Sequence, residues 1–374
     1  MPCVRVLHVL HSMNCGGAET LLMNIYRTLD RSKVQFDFLV NCFERMYFEE
    51  EIENLGGRIY RMKFLTKLTP PVYRYQLTRF FKAHPEYTVV HSHLETTTGL
   101  ILKSAVKAGV PVRIAHSHNT RYTRQGLLYV LENRYKDRCK AMIVPNATNL
   151  LACSVPAAKW LFGGESEKAE IIKNGIETEK YRFSPETRAR VRQELGISET
   201  TMVFGHVGRF YDQKNHLFLI DIFEAIAKRN PDSVLLLVGD GVLKPAVGEK
   251  VKAKALEQKV LFMGLRDDVH RLMQAMDLFL LPSKFEGLPV TLVEAQAAGL
   301  PCVVSEAVPR EADLGCGLIG FLPLGNPTLW AENVDTKATN RLGANETVKT
   351  AGFDIRTTAR RLEEFYCGMR SQSQ

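Results

Sequence analysis

The sequence predicts an α/β protein built from two doubly wound parallel sheets that face each other across a cleft. Three observations carry this reading. At 374 residues the chain is too long for one ordinary core. Short apolar runs with the character of buried strands alternate with helical segments along its whole length. One stretch, residues 277–301, joins a buried strand, a polar loop and a short helix, the kind of unit that holds ligands at the carboxyl edge of a parallel sheet.

The elements follow in order. A strand at 4–10 leads through Gly16-Gly17 into a helix over 19–30. A strand at 35–41, an acidic helix near 49–55 and a strand at 58–63 come next, then a helix after Pro71. The strand 88–93, a helix near 99–107 and the strand 112–116 continue the rhythm. Residues 121–140 are basic and helical, 147–154 form a strand, and the helix 156–162 stops at Gly163-Gly164. The strand 169–173 closes on Asn174-Gly175, and 177–185 reads as the crossing between domains. Beyond it lie a helix at 188–195, a strand at 202–208 and a loop that opens a helix reaching Asn230. The strand 233–239, a helix ending at Leu256, the strand 260–263 and the helix 267–276 lead to the strand 277–283. Pro289 suits the first turn of the next helix, which Gly299 and Pro301 stop. A strand at 302–305, irregular glycine- and proline-bearing segments and a last helix over 354–366 complete the chain. The expected domains are 1–180, 181–352 and a C-terminal helical segment, 353–374, packing back on the first.

Composition bounds the function. Hydrophobic residues at 45% and charged residues at 24% describe a soluble globular protein, and no run of about 18 apolar residues suggests a membrane span. Residues 4–10 are too short for a secretion signal, contain His8 and lack a convincing cleavage site after them. The eight cysteines are scattered without a C-x-x-C, which argues against structural zinc and for a reduced cytoplasmic setting. The sequons at Asn146 and Asn345 are then chance matches. Charge is lopsided. Residues 1–180 hold 25 Lys and Arg against 17 Asp and Glu, while the remainder holds 24 of each. Between Asn54 and Pro85 no acid occurs, and Arg58, Arg61, Lys63, Lys67, Arg74, Arg79 and Lys82 interleave with Tyr60, Phe64, Tyr73, Tyr75, Phe80 and Phe81. Such a stretch suits an anionic membrane surface or nucleic acid, and equally a solvated helix face with a core-facing aromatic stripe.

Candidate chemistry clusters at strand ends. Glu286 sits in the loop before a helix start, and Glu294 interrupts the apolar stretch of that helix, where an unpaired carboxylate would be costly. Amides around Gly287 to Pro289 offer an anion site. Two carboxylates beside a phosphate-binding backbone suit a ligand with both hydroxyls and phosphates, such as a sugar nucleotide; two glutamates at this spacing are also common on solvated helices. Arg209 and Lys214, on one loop, are placed to hold a diphosphate, or are merely two surface cations. Gly16-Gly17 allows close backbone approach but fits any tight turn. The G-x-G-x-x-G fingerprint is absent, which speaks against a nicotinamide or flavin enzyme. The pairs His91-Ser-His93 and His116-Ser-His118 put alternate residues on one face, as a metal site would, with Glu95 the only carboxylate to complete it. Hydrogen bonding beside a polar cleft is the expected role, and no metal is expected.

Together the segments GGAET, HSHN, IIKNGI, VGRFYDQKNH, VLFMGLRDDV and FEGLPVTLVEAQAAGLP resemble retaining glycosyltransferases of family 4, whose E-x7-E signature matches Glu286 to Glu294. The likeness runs from Val4 to about Tyr366 and is nearest to the exopolysaccharide and capsule branch. It implies the GT-B fold, with two Rossmann-like domains, and transfer of a sugar from a nucleotide-sugar donor, UDP-linked by expectation, to a hydroxyl of a glycan or lipid-linked acceptor. By the resemblance, Arg209 and Lys214 hold the diphosphate, Glu294 the ribose and Glu286 the transferred sugar. Gly287 and Leu288 supply amides, Gly17 approaches from the other domain, and the loop to Arg266 meets the base. His118 takes the family histidine role, with His116 as the alternative. Lys173, before Asn-Gly, is a small departure from the family pattern. No D-x-D pair is available to carry a metal, so cations and helix ends must neutralise the leaving group, with no cofactor. The expected setting is cytoplasmic, with peripheral attachment to an anionic membrane and no nucleic-acid partner. A sugar-nucleotide epimerase and a catalytically silent partner protein are the rival readings.

Overall fold

Parallel strands need crossover connections, and the chain supplies a helix for nearly every one. The computed structural model describes residues 3–14, 16–63, 70–120, 130–334 and 341–371. These form two units, 1–175 with 355–374, and 176–354.

In unit 1 the strands are β1 (Val4–Leu10), β2 (Val34–Val40), β3 (Ile59–Arg61), β4 (Val89–Ser92), β5 (Val112–Ser117), β6 (Asn149–Ala152) and β7 (Glu170–Ile171). Their order is β3-β2-β1-β4-β5-β6-β7, all parallel. It reverses between β1 and β4, and such a switch point opens a crevice at the strand ends. One face packs Val6, Phe36, Phe38 and Ile114 against the helices Gly17–Thr28 and Ile355–Ser371. The other packs Leu7, Val9 and Val90 against Tyr73, Leu77, Phe81, Ile101 and Ala105 from the helices Pro70–Ala83 and Thr98–Ala108. Tyr73, Leu77 and Phe81 recur at helical spacing and are core; of the other aromatics read from the sequence, Tyr60 and Phe80 pack on it partly buried and Tyr75 is exposed.

In unit 2 the strands are β8 (Met202–Val207), β9 (Ser233–Val238), β10 (Val260–Gly264), β11 (Leu278–Leu281), β12 (Cys302–Ser305) and β13 (Ile319–Leu322). They order as β10-β9-β8-β11-β12-β13, again parallel, with the reversal between β8 and β11. Leu236, Phe279 and Leu281 face Leu272, Met273 and Leu292, while Leu235, Leu237 and Leu280 face Ile222, Phe223 and Trp330.

Several boundaries differ from the expectation. The units divide at Gly175/Ile176 and Asp354/Ile355, not after 180 and 352. The reason is packing: Ile176 is buried with Val293, Ala297, Val348 and Phe353 of unit 2. The helix expected from 188 starts at Pro185, where the Ser184 hydroxyl accepts from the Thr187 amide at 3.1 Å. Pro289 caps the helix Val290–Ala297 from outside its first turn. β13 and the helix Pro327–Glu332 fill a region expected to be irregular. Of the basic helix at 121–140, residues 121–129 lie outside the described residues, as do Phe64 and Lys67; Val130–Ala141 is helical. Among the described residues no helix is long and apolar enough to cross a membrane.

Candidate functional site

The crevice of unit 2 gathers its chemistry from two adjacent strand ends. β8 runs out into the loop holding Arg209 and Lys214, and β11 into the loop holding Glu286. Lys214 Nζ lies 2.7 Å from Glu286 Oε1, with side chains only 16% and 6% exposed. Gln213 Nε2 donates to Glu286 Oε2 at 3.2 Å and to the Phe285 carbonyl at 3.1 Å. In return the Lys284 amide donates to the Gln213 carbonyl at 2.8 Å, and Lys284 Nζ meets Asp212 Oδ1 at 2.5 Å. The two loops are thus one rigid unit with an ammonium and a carboxylate at its centre. Asn215, at φ 57°, then turns the chain into the helix His216–Arg229; asparagine tolerates that left-handed conformation better than most residues.

Backbone lacing fixes the neighbouring loops. The Gly208 amide donates to Val238, Phe210 to Asp240 and Gly239 to Gly264, at 2.9, 2.9 and 2.8 Å. Gly239 has φ 133°, and a Cβ there would collide with the Gly208 carbonyl oxygen. Only glycine lets these strand ends approach so closely. Arg209 is exposed, its guanidinium 5.5 Å from the Tyr211 ring centroid. Arg266 is engaged twice by Asp268, Nε to Oδ1 at 2.7 Å and Nη2 to Oδ2 at 2.8 Å, which leaves Leu265 as the exposed apolar side chain of its loop.

Glu294 lies one turn into the helix Val290–Ala297, and the Tyr181 hydroxyl bonds its carboxylate. Burial raises its pKa to about 7, an effect that the Tyr181 bond partly offsets. A Cβ on Gly287 would meet nothing within 4 Å, so its surface is open, whereas Leu288 packs against the core.

Unit 1 carries the remaining candidates. Gly17 is the first residue of the helix Gly17–Thr28, and its missing side chain faces open space. His8 pairs in register with His91 across β1 and β4. With His93, His116 and His118 these form one face of five histidines. His8 Nδ1 lies 3.0 Å from His93 Nε2, whose Nδ1 lies 2.8 Å from His118 Nε2. His91 Nε2 lies 3.2 Å from His116 Nδ1, and His91 Nδ1 lies 2.7 Å from the Tyr366 hydroxyl. Burial lowers the pKa of all five, His118 to about 4. His116 is 2% exposed, while His118 is only half-buried at the strand end. Glu95 stands beside them at φ 48°, an unusual conformation for a residue with a side chain. Its Oε1 accepts from the His118 amide at 3.0 Å and from Asn119 Nδ2 at 2.9 Å. Burial lifts its pKa to about 8.

The predicted residues therefore divide between the units. Gly17, His116 and His118 belong to unit 1, and Arg209, Lys214, Arg266, Glu286, Gly287, Leu288 and Glu294 to unit 2. Of the latter, Lys214 and Glu286 touch directly. Sequence reasoning missed Gln213, Asp268 and Tyr181 as partners. Gln213 stood inside a motif already singled out, but Tyr181 lies in the crossing segment, where no pattern marked it.

Comparison with known proteins identifies the family. A family model described as "Glycosyltransferase Family 4" matches residues 15–180, and "Glycosyl transferases group 1" matches residues 201–339. The chain is 37% identical over 97% of its length to the putative glycosyltransferase EpsF of Bacillus subtilis (strain 168), covering 96% of that protein. It is 31% identical over 81% of its length to the Escherichia coli UDP-Gal:alpha-D-GlcNAc-diphosphoundecaprenol alpha-1,3-galactosyltransferase, covering 79% of that protein. Similarity at 25% identity extends to the capsular polysaccharide biosynthesis glycosyltransferase CapH of Staphylococcus aureus, over 97% of this chain and 98% of that one. Among solved structures, Anabaena HepE in complex with UDP superposes with a TM-score of 0.78 at 22% identity, over 96% and 99% of the two chains. WaaG, a glycosyltransferase involved in lipopolysaccharide biosynthesis, gives 0.74 at 18% identity, over 96% and 99%. These two show that the architecture is the GT-B fold of paired Rossmann-like units.

Proposed function

The chain belongs to glycosyltransferase family 4, and we propose that it transfers a sugar from a UDP-sugar, with retention of anomeric configuration, to a hydroxyl of a lipid-linked acceptor during polysaccharide assembly. The observation that carries the reading is the Lys214–Glu286 pair, fixed by Gln213 at the switch point of unit 2. A departing nucleoside diphosphate develops negative charge. Lys214, with Arg209 exposed on the same loop, supplies positive charge where that negative charge grows. Glu286 then faces the sugar as the one carboxylate placed to stabilise or attack its anomeric carbon. Glu294, held by Tyr181, accepts from the ribose hydroxyls.

The UDP moiety and the lipid-linked acceptor draw support from the named activity of the E. coli relative, which matches about four-fifths of each chain. On the helix Pro70–Ala83, Val72, Tyr75, Arg79 and Lys82 are exposed together, which supports docking on an anionic membrane at its cytoplasmic face. The transfer proceeds without metal, because side-chain cations and helix amides take its place. The test is a screen of UDP-, GDP- and ADP-sugars for acceptor-dependent nucleotide release in excess EDTA. UDP release is expected to persist, and the anomeric proton of the product is expected to match that of the donor by NMR. Turnover confined to another nucleotide, inversion at the anomeric centre, or restoration of activity by magnesium after chelation would each overturn the corresponding part.

A further inference from the structure

The histidine face of unit 1 asks for more than one family histidine. Three of its ring nitrogens, His8 Nε2, His116 Nε2 and His118 Nδ1, are buried without a hydrogen-bond partner, and so is Glu95 Oε2. A buried polar atom left unsatisfied in this way is costly. At one end of the face, His93, His116 and His118 each offer one ring nitrogen, and the three nitrogens lie within 4.8 Å of one another.

We infer that His93, His116 and His118 form a binding site for a borderline transition-metal ion of the zinc class. Imidazole nitrogen is the preferred donor for such ions, and three protein ligands with a fourth position open to water is a common set. The outer partners a metal-binding histidine needs are already in place. His93 bonds His8 through the nitrogen it does not share with His118, at 3.0 Å. His116, free at Nε2, is held at Nδ1 by His91 at 3.2 Å, and His91 in turn by the Tyr366 hydroxyl at 2.7 Å. Such contacts fix the ring orientation and tautomer that expose the second nitrogen to an ion. The His93–His118 contact at 2.8 Å is the one hydrogen bond that the ion replaces. Glu95, anchored through Oε1 to the His118 amide, stands beside the site with Oε2 unpartnered. His118 is only half-buried and provides the way in. The ion is assigned no part in sugar transfer; it would tie the ends of β4 and β5 together.

Calorimetric titration of the untagged, chelator-treated full chain with zinc tests the site. One ion per chain is expected, with a rise in melting temperature. Affinity is expected to fall at least tenfold in His93→Ala and in His116→Ala, to fall about tenfold in His91→Phe, which removes only an outer partner, and to be unchanged in His270→Ala. Cobalt bound to the wild type supplies a second reading that needs no folded variant, a ligand-field spectrum of nitrogen coordination. Absence of zinc binding to the wild type, affinity undiminished in both ligand variants, or a cobalt spectrum indistinguishable from the hexa-aqua ion would overturn the assignment.

Discussion

Lys214 and Glu286 satisfy each other at 2.7 Å before any donor arrives, so each shapes what the other can do. On the proposed function, a diphosphate would recruit the ammonium that the carboxylate already engages. Lys214→Ala is therefore expected to weaken UDP binding by about 1.5–3 kcal/mol, the range for a hydrogen bond to a charged group, measured calorimetrically. Glu286→Gln keeps the shape and releases Lys214, so kcat should fall sharply while UDP binds no more weakly. Near-normal turnover in that variant would reduce Glu286 to a loop residue. Glu294 lends itself to a different measurement. Its pKa is raised to about 7 from an ordinary 4.5, so its contribution to stability is complete below about pH 4.5 and is lost as pH rises through 7. His216 works in the opposite direction, lowered to about 4 by burial and by Lys214, and its contribution fades as pH falls below 6.5. The difference between Glu294→Gln and wild type isolates the glutamate. The variant should gain on wild type by up to about 1.4 kcal/mol per pH unit between about 4.5 and 7, and no further outside that window. Urea titrations across this range would show a flat difference if Glu294 were an ordinary surface carboxylate.

The β8, β9 and β10 loops lock together because Gly239 adopts φ 133° against the Gly208 backbone. Gly239→Ala adds both a collision and a strained conformation, with an expected cost of about 1–3 kcal/mol and a loss of UDP affinity from displacement of the Arg209 loop. Urea unfolding and UDP titration of the variant measure both effects; wild-type values in each would show that the loops tolerate separation. This region also shows how far the sequence could be read. Strands buried on both faces announce themselves as continuous apolar runs, which is why β1, β8, β9 and β11 were legible with small errors at their ends. β13 was not, because its four residues sit at the sheet edge among Gly315, Gly317 and Gly320 and lack that signature. The loops after β8 and β11 drew notice through their residue types, arginine, lysine and glutamate after buried strands. Tyr181 was not, since its role depends on a crossing segment folding back to Glu294, a contact that no local spacing encodes. The histidine face was seen as two pairs, but its fifth member, His8, joins only through the register of β1 with β4.

At the scale of the whole molecule, the excess positive charge of the first half is more committed than composition suggests. Arg5 is bound to buried Asp37 at 2.6 Å, Arg61 to Glu49 at 2.6 Å, and Arg58 lies 3.7 Å from Glu86. Lys63, Arg79 and Lys82 remain exposed around the helix Pro70–Ala83. Each cation near an anionic bilayer contributes on the order of 1 kcal/mol, so a small set gives reversible, salt-sensitive attachment. Sedimentation with phosphatidylglycerol vesicles should exceed that with neutral vesicles, and Arg79→Gln with Lys82→Gln should reduce it. Equal pelleting with both lipids would leave this surface merely solvated. The division of the chain carries a consequence of its own. Unit 2 is continuous in sequence, whereas unit 1 surrenders the chain at Gly175 and takes it back at Ile355. A ribosome making this protein from the amino terminus therefore completes the second-made unit first. The sheet face carrying Val6, Phe36 and the histidines waits for Ile355, Leu362 and Tyr366 through roughly 10–35 s of synthesis at typical rates. During that interval an apolar surface is exposed on a nascent chain, which makes the first half, rather than the whole protein, the natural client of a chaperone at the ribosome exit.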